Sequence, residues 1–395
     1  MDYYKMALDM CAEHVGKITT ETKVDIKTTD DLSTAYTPGV AEPCRAIQAD
    51  ERAAYDLTLK ANTVAVITDG TAVLGLGNIG PLAGLPVMEG KCVLFKTFGH
   101  VNAFPICLDC SSPEEIIAAV KAIAPVFGGI NLEDIKAPQC FEIERTLERD
   151  LDIPVFHDDQ HGTAVVVTSA LINALKLTGK RMEDVRIALN GPGSAGTAII
   201  HMLLAMGARH IVAVDRAGTI YKGRTENMNP YKEELANLTN EEGLVGGLAD
   251  ALVGADVFIG VSQAHCVTKE MVRSMAKDPI VFAMANPVSE IDYEDAIEAG
   301  AAVVGTGRSD KPNQINNVLC FPGMFRGALQ VRARDINYDM KIAAAKAIAG
   351  LISEDELGPE NIIASPLDDR VADAVAAAAA KAAVDSGVAR APENL

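Results

Sequence analysis

No apolar run in this 395-residue chain reaches the roughly 20 residues that a bilayer-crossing helix needs. A basic excess is missing too. With 54 acidic side chains against 35 Lys and Arg, the net charge is −19, which argues against nucleic acid or an anionic membrane as partner. The start, "MDYYKMALDMCAEHVG", has neither a basic n-region nor a small-residue cleavage site, so no signal peptide is expected. Of the eight cysteines, Cys107 and Cys110 form a lone CxxC, and a structural zinc site would want a second pair. These features predict free, buried or half-buried thiols in a reduced, cytoplasmic protein. Repeats and low-complexity linkers are likewise absent. Any small anionic substrate then needs help from a local cation or a metal.

The length suffices for two domains with separate cores. Strand-like and helix-like segments alternate, which implies parallel sheets and an α/β fold. In the first part "TVAVITDG", "KCVLFKTFG", "AFPICLD" and "IPVFHDD" read as strands. "SSPEEIIAAVKAIAPVFGG" reads as a helix with Ser112 as N-cap, Pro113 at N1 and Glu115 completing a capping box. "PQCFEIERTLERD" reads as a second helix. The second part opens with the helix "GTAVVVTSALINALKLTG" and continues through "VRIALN", "GPGSAGTAIIHMLLAMGA" and "HIVAVD". That is a βαβ unit, and the apolar strands "GADVFIGVS", "PIVFAMANP" and "AAVVGTG" follow it. "VADAVAAAAAKAAVDSG" reads as a helix stopped by Gly387. The expectation is an N-terminal parallel-sheet α/β domain over 1–160 and a Rossmann-like NAD(P)-binding domain over 161–395.

Two loops have dinucleotide-binding glycine spacing, "GLGNIG" at 75–80 and "GPGSAG" at 191–196. The fingerprint also needs a strand before, a helix after, and an acidic residue ending the next strand. The second loop meets all three conditions, with Asp215 ending "IVAVD" 19 residues past Gly196. Gly191, Gly193, Ser194, Ala195 and Gly196 are therefore the candidate pyrophosphate cradle. After the first loop, Pro81, Gly84 and Pro86 are expected to forbid a regular helix. Asp215 favours NAD, because a carboxylate repels a 2′-phosphate, while Arg216 beside it could admit NADP. Ligands of open α/β sheets sit beyond the carboxyl ends of the strands, which nominates Ser262, Asn286 and Gly305. A turn-capping role for Asn286 before Pro287 is the plainer alternative.

"NLEDI" supplies Glu133 and Asp134, and "FHDDQHG" supplies Asp158 and Asp159. Carboxylates converging from two loops suit Mg²⁺ or Mn²⁺, although solvated acidic loops are the plainer alternative in so acidic a chain. His157 and His161 at i, i+4 lack the glutamate and the single helix of a zinc hydrolase. Lys91 and Lys96, read on one strand, fall on opposite faces, so at most one reaches a site. A partly desolvated lysine near a metal can serve as a base.

Taken together, "YTPGVAEPCRAI", "TDGTAVLGLGNIGPLAGLPVMEGKCVLFK", "INLEDI", "PVFHDDQHGTA", "NGPGSAG", "NPVSEI" and "NNVLCFPG" resemble the malic enzyme family in its shorter bacterial form. The matches run in order from about residue 36 to 325. The resemblance implies that Tyr36 is a general acid and Lys91 a general base. It implies that Glu133, Asp134 and Asp159 hold the metal, and that Asp158 hydrogen-bonds the lysine. Asn286 and Asn317 would contact substrate and nicotinamide, and "TDGTAVLGLGNIG" would be the active-site wall. One position departs from the pattern. The larger enzymes carry an arginine two residues after "TDG", where this chain has Ala72. The substrate carboxylate is then expected to use Thr71, loop N–H groups or a neighbouring subunit. The implied reaction is NAD(P)-dependent oxidative decarboxylation of L-malate to pyruvate, in a homodimer or larger homo-oligomer. Two alternatives stay open, a malolactic-type enzyme releasing lactate and a catalytically silent nucleotide sensor. A Rossmann dehydrogenase of amino acids would lack the "NLEDI" and "HDDQ" pair.

Overall fold

A computed structural model describes residues 2–73 and 75–395, so Leu74 of the wall segment lies outside the described residues. Two sheets organise the chain. The first contains β1 (Thr63–Thr68), β2 (Asn102–Cys107), β3 (Gly129–Leu132) and β4 (Val155–His157), all parallel, in the order β2-β1-β3-β4. Every residue of β1 is buried, as a central parallel strand covered on both faces requires.

The second sheet is built from β5 (Arg186–Asn190), β6 (His210–Asp215), β7 (Gly218–Thr219), β8 (Val257–Gly260), β9 (Ile280–Ala283) and β10 (Val303–Thr306). Its order is β10-β9-β8-β5-β6-β7, parallel except for the short antiparallel edge strand β7. The order reverses between β5 and β8, the switch point where a dinucleotide binds in such folds. The loop after β5 lies against the end of β8: a Cβ on Gly191 would come within 2.6 Å of the Val261 carbonyl oxygen.

One stretch corrects the sequence reading. "KCVLFKTFG" is not a strand; it is the second half of a helix over Gly80–Gly99. Pro81 sits in the first turn, where no N–H is needed, and Pro86 lies on the exposed side, where water can serve the freed carbonyl. The prolines therefore do not forbid the helix, and "GLGNIG" does lead into one. Lys91 and Lys96 diverge as helical neighbours five residues apart, with Lys91 buried and Lys96 exposed. In the helix Pro113–Ile123 the Ser112 cap forms, but the Glu115 carboxylate accepts from Ser111 N rather than from Ser112 N. Gly387 ends the Arg370–Asp385 helix region with φ +76°, as expected.

The chain does not leave the first sheet for good. The helix Phe321–Gln330 returns to it, and Phe321 and Phe325 pack on Phe95 with ring centroids 4.7 and 5.4 Å apart. Phe325 also meets Phe156 of β4 at 5.8 Å. At the other end, the helices Tyr3–His14, Thr29–Ala35 and Ala41–Ala49 bury none of their residues. Tyr4 is 87 % exposed there and Tyr3, Met6 and Leu8 are more than half exposed.

Candidate active site

Between the carboxyl ends of the two sheets lies a cavity of about 1550 Å³. The first sheet's loops and the helix packed on it contribute Glu133, Asp134, Asp159 and Lys91. From the second come Ser194, Ala195, Ser262 and Asn286, with Asn317 from the returning segment. Ala72, Gly75 and Leu76 line it from the glycine-rich segment, in keeping with an active-site wall.

The reacting groups are held tightly. Lys91 Nζ lies 2.7 Å from Asp158 Oδ2 and 2.8 Å from Glu133 Oε1, over the ring of Phe321. Asn317 Nδ2 donates to the same Asp158 Oδ2 at 2.5 Å. Burial alone would pull the lysine pKa down, but the two carboxylates outweigh it and hold Lys91 above its ordinary value. Asn131 and Glu133 share one face around the end of β3, and Asn131 Nδ2 donates to Glu133 Oε2 at 2.9 Å. Asp159 Oδ2 accepts from Asp134 N at 2.8 Å, which binds the two acidic loops together.

Asp158 and Asp159 do not sit in an open loop. They start a π-helical turn, Asp158–Gly162, between β4 and the helix Thr163–Thr178. Glycine is needed at 162, because a Cβ there would lie 1.9 Å from Asp158 Oδ1. A buried carboxylate from the neighbouring helix, Glu144, grips this turn: it accepts from His157 N at 2.7 Å and from Gln160 Nε2 at 2.9 Å, with His161 Nε2 3.1 Å away. His161 meets Glu144, whereas among the described residues neither ring nitrogen of His157 has a hydrogen-bond partner.

The acidic groups are crowded. Burial, followed by the charges of Asp159 and Glu133, pushes the Asp134 carboxyl up to about 8. Burial also raises Asp158 to about 7 and Asp159 to about 6, although Lys91 opposes the shift in both. Glu133 is shifted upward by the same cause. Among the described residues, Asp134 Oδ2 and Asp158 Oδ1 are buried without a hydrogen-bond partner. Glu133, Asp134 and Asp159 each offer an oxygen within 4.8 Å of the others. An all-oxygen trio short of positive charge fits a hard divalent cation.

On the coenzyme side, the helix Ser194–Ala205 begins directly after Gly193. A Cβ on Gly196 would meet the Gly191 carbonyl at 2.2 Å, so this tight turn excludes any side chain there. Ser262 Oγ accepts from Asn190 Nδ2 at 2.8 Å, and the buried Glu290 carboxylate accepts from Ser262 N at 2.8 Å and Ala285 N at 3.0 Å. The ends of β8 and β9 are thereby tied together. Asp215 is already engaged: Arg224 Nη2 reaches both its oxygens at 2.7 and 2.6 Å, and Lys232 Nζ lies at 2.6 Å. Arg216 beside it is exposed.

Two sequence candidates stand apart from the cavity in a single chain. Tyr36 ends the helix Thr29–Ala35 and is 67 % exposed. Thr71 spends its hydroxyl locally, donating to Asp69 Oδ1 at 2.6 Å and accepting from Lys136 N at 3.0 Å. Sequence reasoning passed over Asn131, Glu144, Arg224, Lys232 and Glu290. Asn131 carried a usable signal in its i, i+2 relation to Glu133, whereas the others gain meaning only from the fold.

Comparison with known proteins agrees with this geometry. Residues 15–148 match the family described as malic enzyme, N-terminal domain, and residues 160–384 the malic enzyme NAD binding domain. A bifunctional malic/malolactic enzyme of Bacillus subtilis is 59 % identical over 99 % of this chain and 95 % of its own length. An NAD-dependent malic enzyme of Geobacillus stearothermophilus is 60 % identical over 95 % of this chain and 78 % of its own. Among solved structures, a malic enzyme from Pyrococcus horikoshii superposes with a TM-score of 0.94 at 48 % identity, covering 97 % of this chain and 92 % of the other.

Proposed function

The chain belongs to the malic enzyme family, whose chemistry is the NAD(P)-dependent oxidative decarboxylation of malate, and we propose how its own residues divide that work on L-malate. The observation that carries the assignment is Lys91, buried between Asp158 and Glu133 at a cavity both sheets share. Glu133, Asp134 and Asp159 would hold Mg²⁺ or Mn²⁺. When bound, the cation would supply Lewis acidity and the coenzyme a hydride acceptor.

Lys91 takes the C2 hydroxyl proton as the neutral amine, a form that a cation held by Glu133 would favour by cancelling one of the two carboxylate charges that keep the ammonium protonated. Asp158, with Asn317 on the same oxygen, orients Nζ for that transfer. Asn286 and Asn317 offer amides to substrate and nicotinamide from the cavity lining. After CO₂ departs, Tyr36 protonates C3. The exposed arm that carries Tyr36 has apolar side chains open to solvent, and it docks on a second copy of the chain. Each cavity is then completed by the partner subunit's Tyr36. The substrate domain extends over 1–160 and the coenzyme domain over 161–395.

Both coenzymes are used. Arg224 and Lys232 neutralise Asp215, so its repulsion of a 2′-phosphate is weak, and Arg216 beside it is exposed. The catalytic efficiencies with NAD⁺ and NADP⁺ are expected to differ by no more than about tenfold, roughly 1.4 kcal/mol.

The deciding experiment supplies L-malate, NAD⁺ and Mn²⁺, follows NADH and identifies the organic product. Pyruvate equal to NADH, abolished by a chelator, supports the reading. Lactate without net NADH points to a malolactic outcome, which the name of the Bacillus subtilis relative makes the second reading. Tight nucleotide binding with no turnover overturns both.

A further inference from the structure

Ala72 stands where larger enzymes of the family carry an arginine for a substrate carboxylate, and the segment around it offers little in exchange. Thr71 has spent its hydroxyl on Asp69 and Lys136 and is not part of the cavity lining. The N–H groups of the segment are spent as well. Thr71 N donates to Asp69 Oδ1 at 3.0 Å, Ala72 N to the Asp134 carbonyl at 2.9 Å, and Val73 N to the Gly77 carbonyl at 2.9 Å. Leu76 N, Gly77 N and Ile79 N are bonded within the loop too. Meanwhile Glu133, Asp134, Asp158 and Asp159 bring more formal negative charge than Lys91 and one divalent cation can cancel. A dicarboxylate therefore needs a further cation to enter.

Lys17 lies in the same lining, half-buried, just past the helix Tyr3–His14. Two bonds seat it on the helix Gly80–Gly99: its backbone N donates to Glu89 Oε2 at 3.0 Å and its Nζ to the Pro86 carbonyl at 2.7 Å. Nζ rests over Gly90, 3.8 Å from where a Cβ would stand, and Gly90 is the neighbour of Lys91 in the chain. Glu89 meets the backbone N–H rather than the ammonium, and among the described residues Lys17 forms no ion pair. Lys91, the other lysine of the described lining, is pinned between Asp158 and Glu133. An ammonium has three donors, so Lys17 keeps two beyond the one given to Pro86.

We infer that Lys17 takes a substrate carboxylate in place of the missing arginine, namely the carboxylate on C2, which stays behind in pyruvate. The inference rests on the malate reading above. A cation on the departing carboxylate would stabilise a charge that must vanish as CO₂ forms, and would slow that step. The carboxylate on C2 keeps its charge throughout, so Lys17 holds substrate, transition state and product alike.

The test compares the wild-type chain with Lys17→Met and Lys17→Arg in Mn²⁺ and NAD⁺. In Lys17→Met the KM for L-malate is expected to rise about tenfold or more with kcat held, the mark of a charged hydrogen bond made equally in ground and transition states. Lys17→Arg restores most of the loss, and NADH affinity, read by fluorescence, stays unchanged in both. As competitive inhibitors, 2-hydroxybutyrate keeps the carboxylate beside the hydroxyl and weakens with L-malate, whereas 3-hydroxybutyrate has a methyl there and is unaffected. An unmoved KM overturns the inference. So does an equal loss for both hydroxybutyrates, which marks a displaced arm, or a loss confined to 3-hydroxybutyrate, which seats Lys17 on the departing carboxylate. A wild-type chain that does not turn L-malate over refutes the malate reading itself, and this inference with it.

Discussion

Asp158 receives Lys91 Nζ and Asn317 Nδ2 on a single oxygen, and among the described residues its other oxygen has no partner. The residue therefore orients two neighbours from opposite sides of the cavity, sharing Lys91 with Glu133. Lys91→Ala is expected to lower kcat by about 10²–10⁴, the usual contribution of a positioned base, while nucleotide binding persists. NADH formation and a fluorescence titration of NADH binding separate the two effects, and near-full turnover in the variant refutes the assignment. The carboxylates beside it make a second prediction. The Asp134 carboxyl is raised from an ordinary 3.8 to about 8, so the stability it confers is complete below pH 3.8 and drains away as pH climbs towards 8. A divalent cation needs the ionised form and offsets that loss. Mn²⁺ should therefore raise Tm more at pH 8 than at pH 6, and should release protons on binding. Equal shifts at both pH values would remove the acidic trio from consideration.

Among the elements, the π-helical turn matters most, because it alone carries both Asp158 and Asp159. Glu144 holds it through His157 N and Gln160 Nε2, so it acts as a positioning residue one layer behind the metal trio. Glu144→Gln keeps the shape but loses the charge that the His161 ring meets. Cation affinity is expected to fall by about 10- to 100-fold, as with other supports of metal ligands, with NAD⁺ affinity unmoved. Calorimetry with Mn²⁺ checks the first and NADH fluorescence the second. Elements with a clean period or an end signal were legible in the sequence. The Ser112 cap, the six buried residues of β1 and the "GPGSAG" turn all depend on near neighbours. The helix Gly80–Gly99 was not legible, because its prolines fall where a helix tolerates them, at its start and on its wet side. That tolerance is set by what packs against the helix, which no local pattern records. The short strands β3 and β7 gave too few residues for a period of two to show. Most of the candidate cavity was nonetheless readable, since its carboxylates and glycines lie in contiguous motifs. Glu144 and Lys17 gain their surroundings only from contacts across long stretches of chain.

At the scale of the whole molecule, the exposed N-terminal arm is the feature a single chain leaves unexplained. If the arm completes a neighbour's cavity, Tyr36→Phe and Lys91→Ala chains are each nearly inactive alone. Mixed and allowed to exchange subunits, they form hybrids in which one cavity has both groups intact. With random pairing about a quarter of wild-type activity should return. No recovery, with exchange verified by mass, would show that Tyr36 serves its own chain or none. The opposite end of the chain has its own consequence. Coenzyme-binding halves of this topology are often pictured as cassettes, cut from one protein and joined to another. Here Phe321 and Phe325 come back to rest on Phe95 and Phe156, and Asn317 grasps Asp158 from the same return stretch. A chimera that imports the second half from a relative therefore also imports the far wall of its host's core and one of its catalytic contacts. Such a graft succeeds only when the host's 80–99 helix is swapped with it, so in this protein inheritance of the two halves is linked by an aromatic seam.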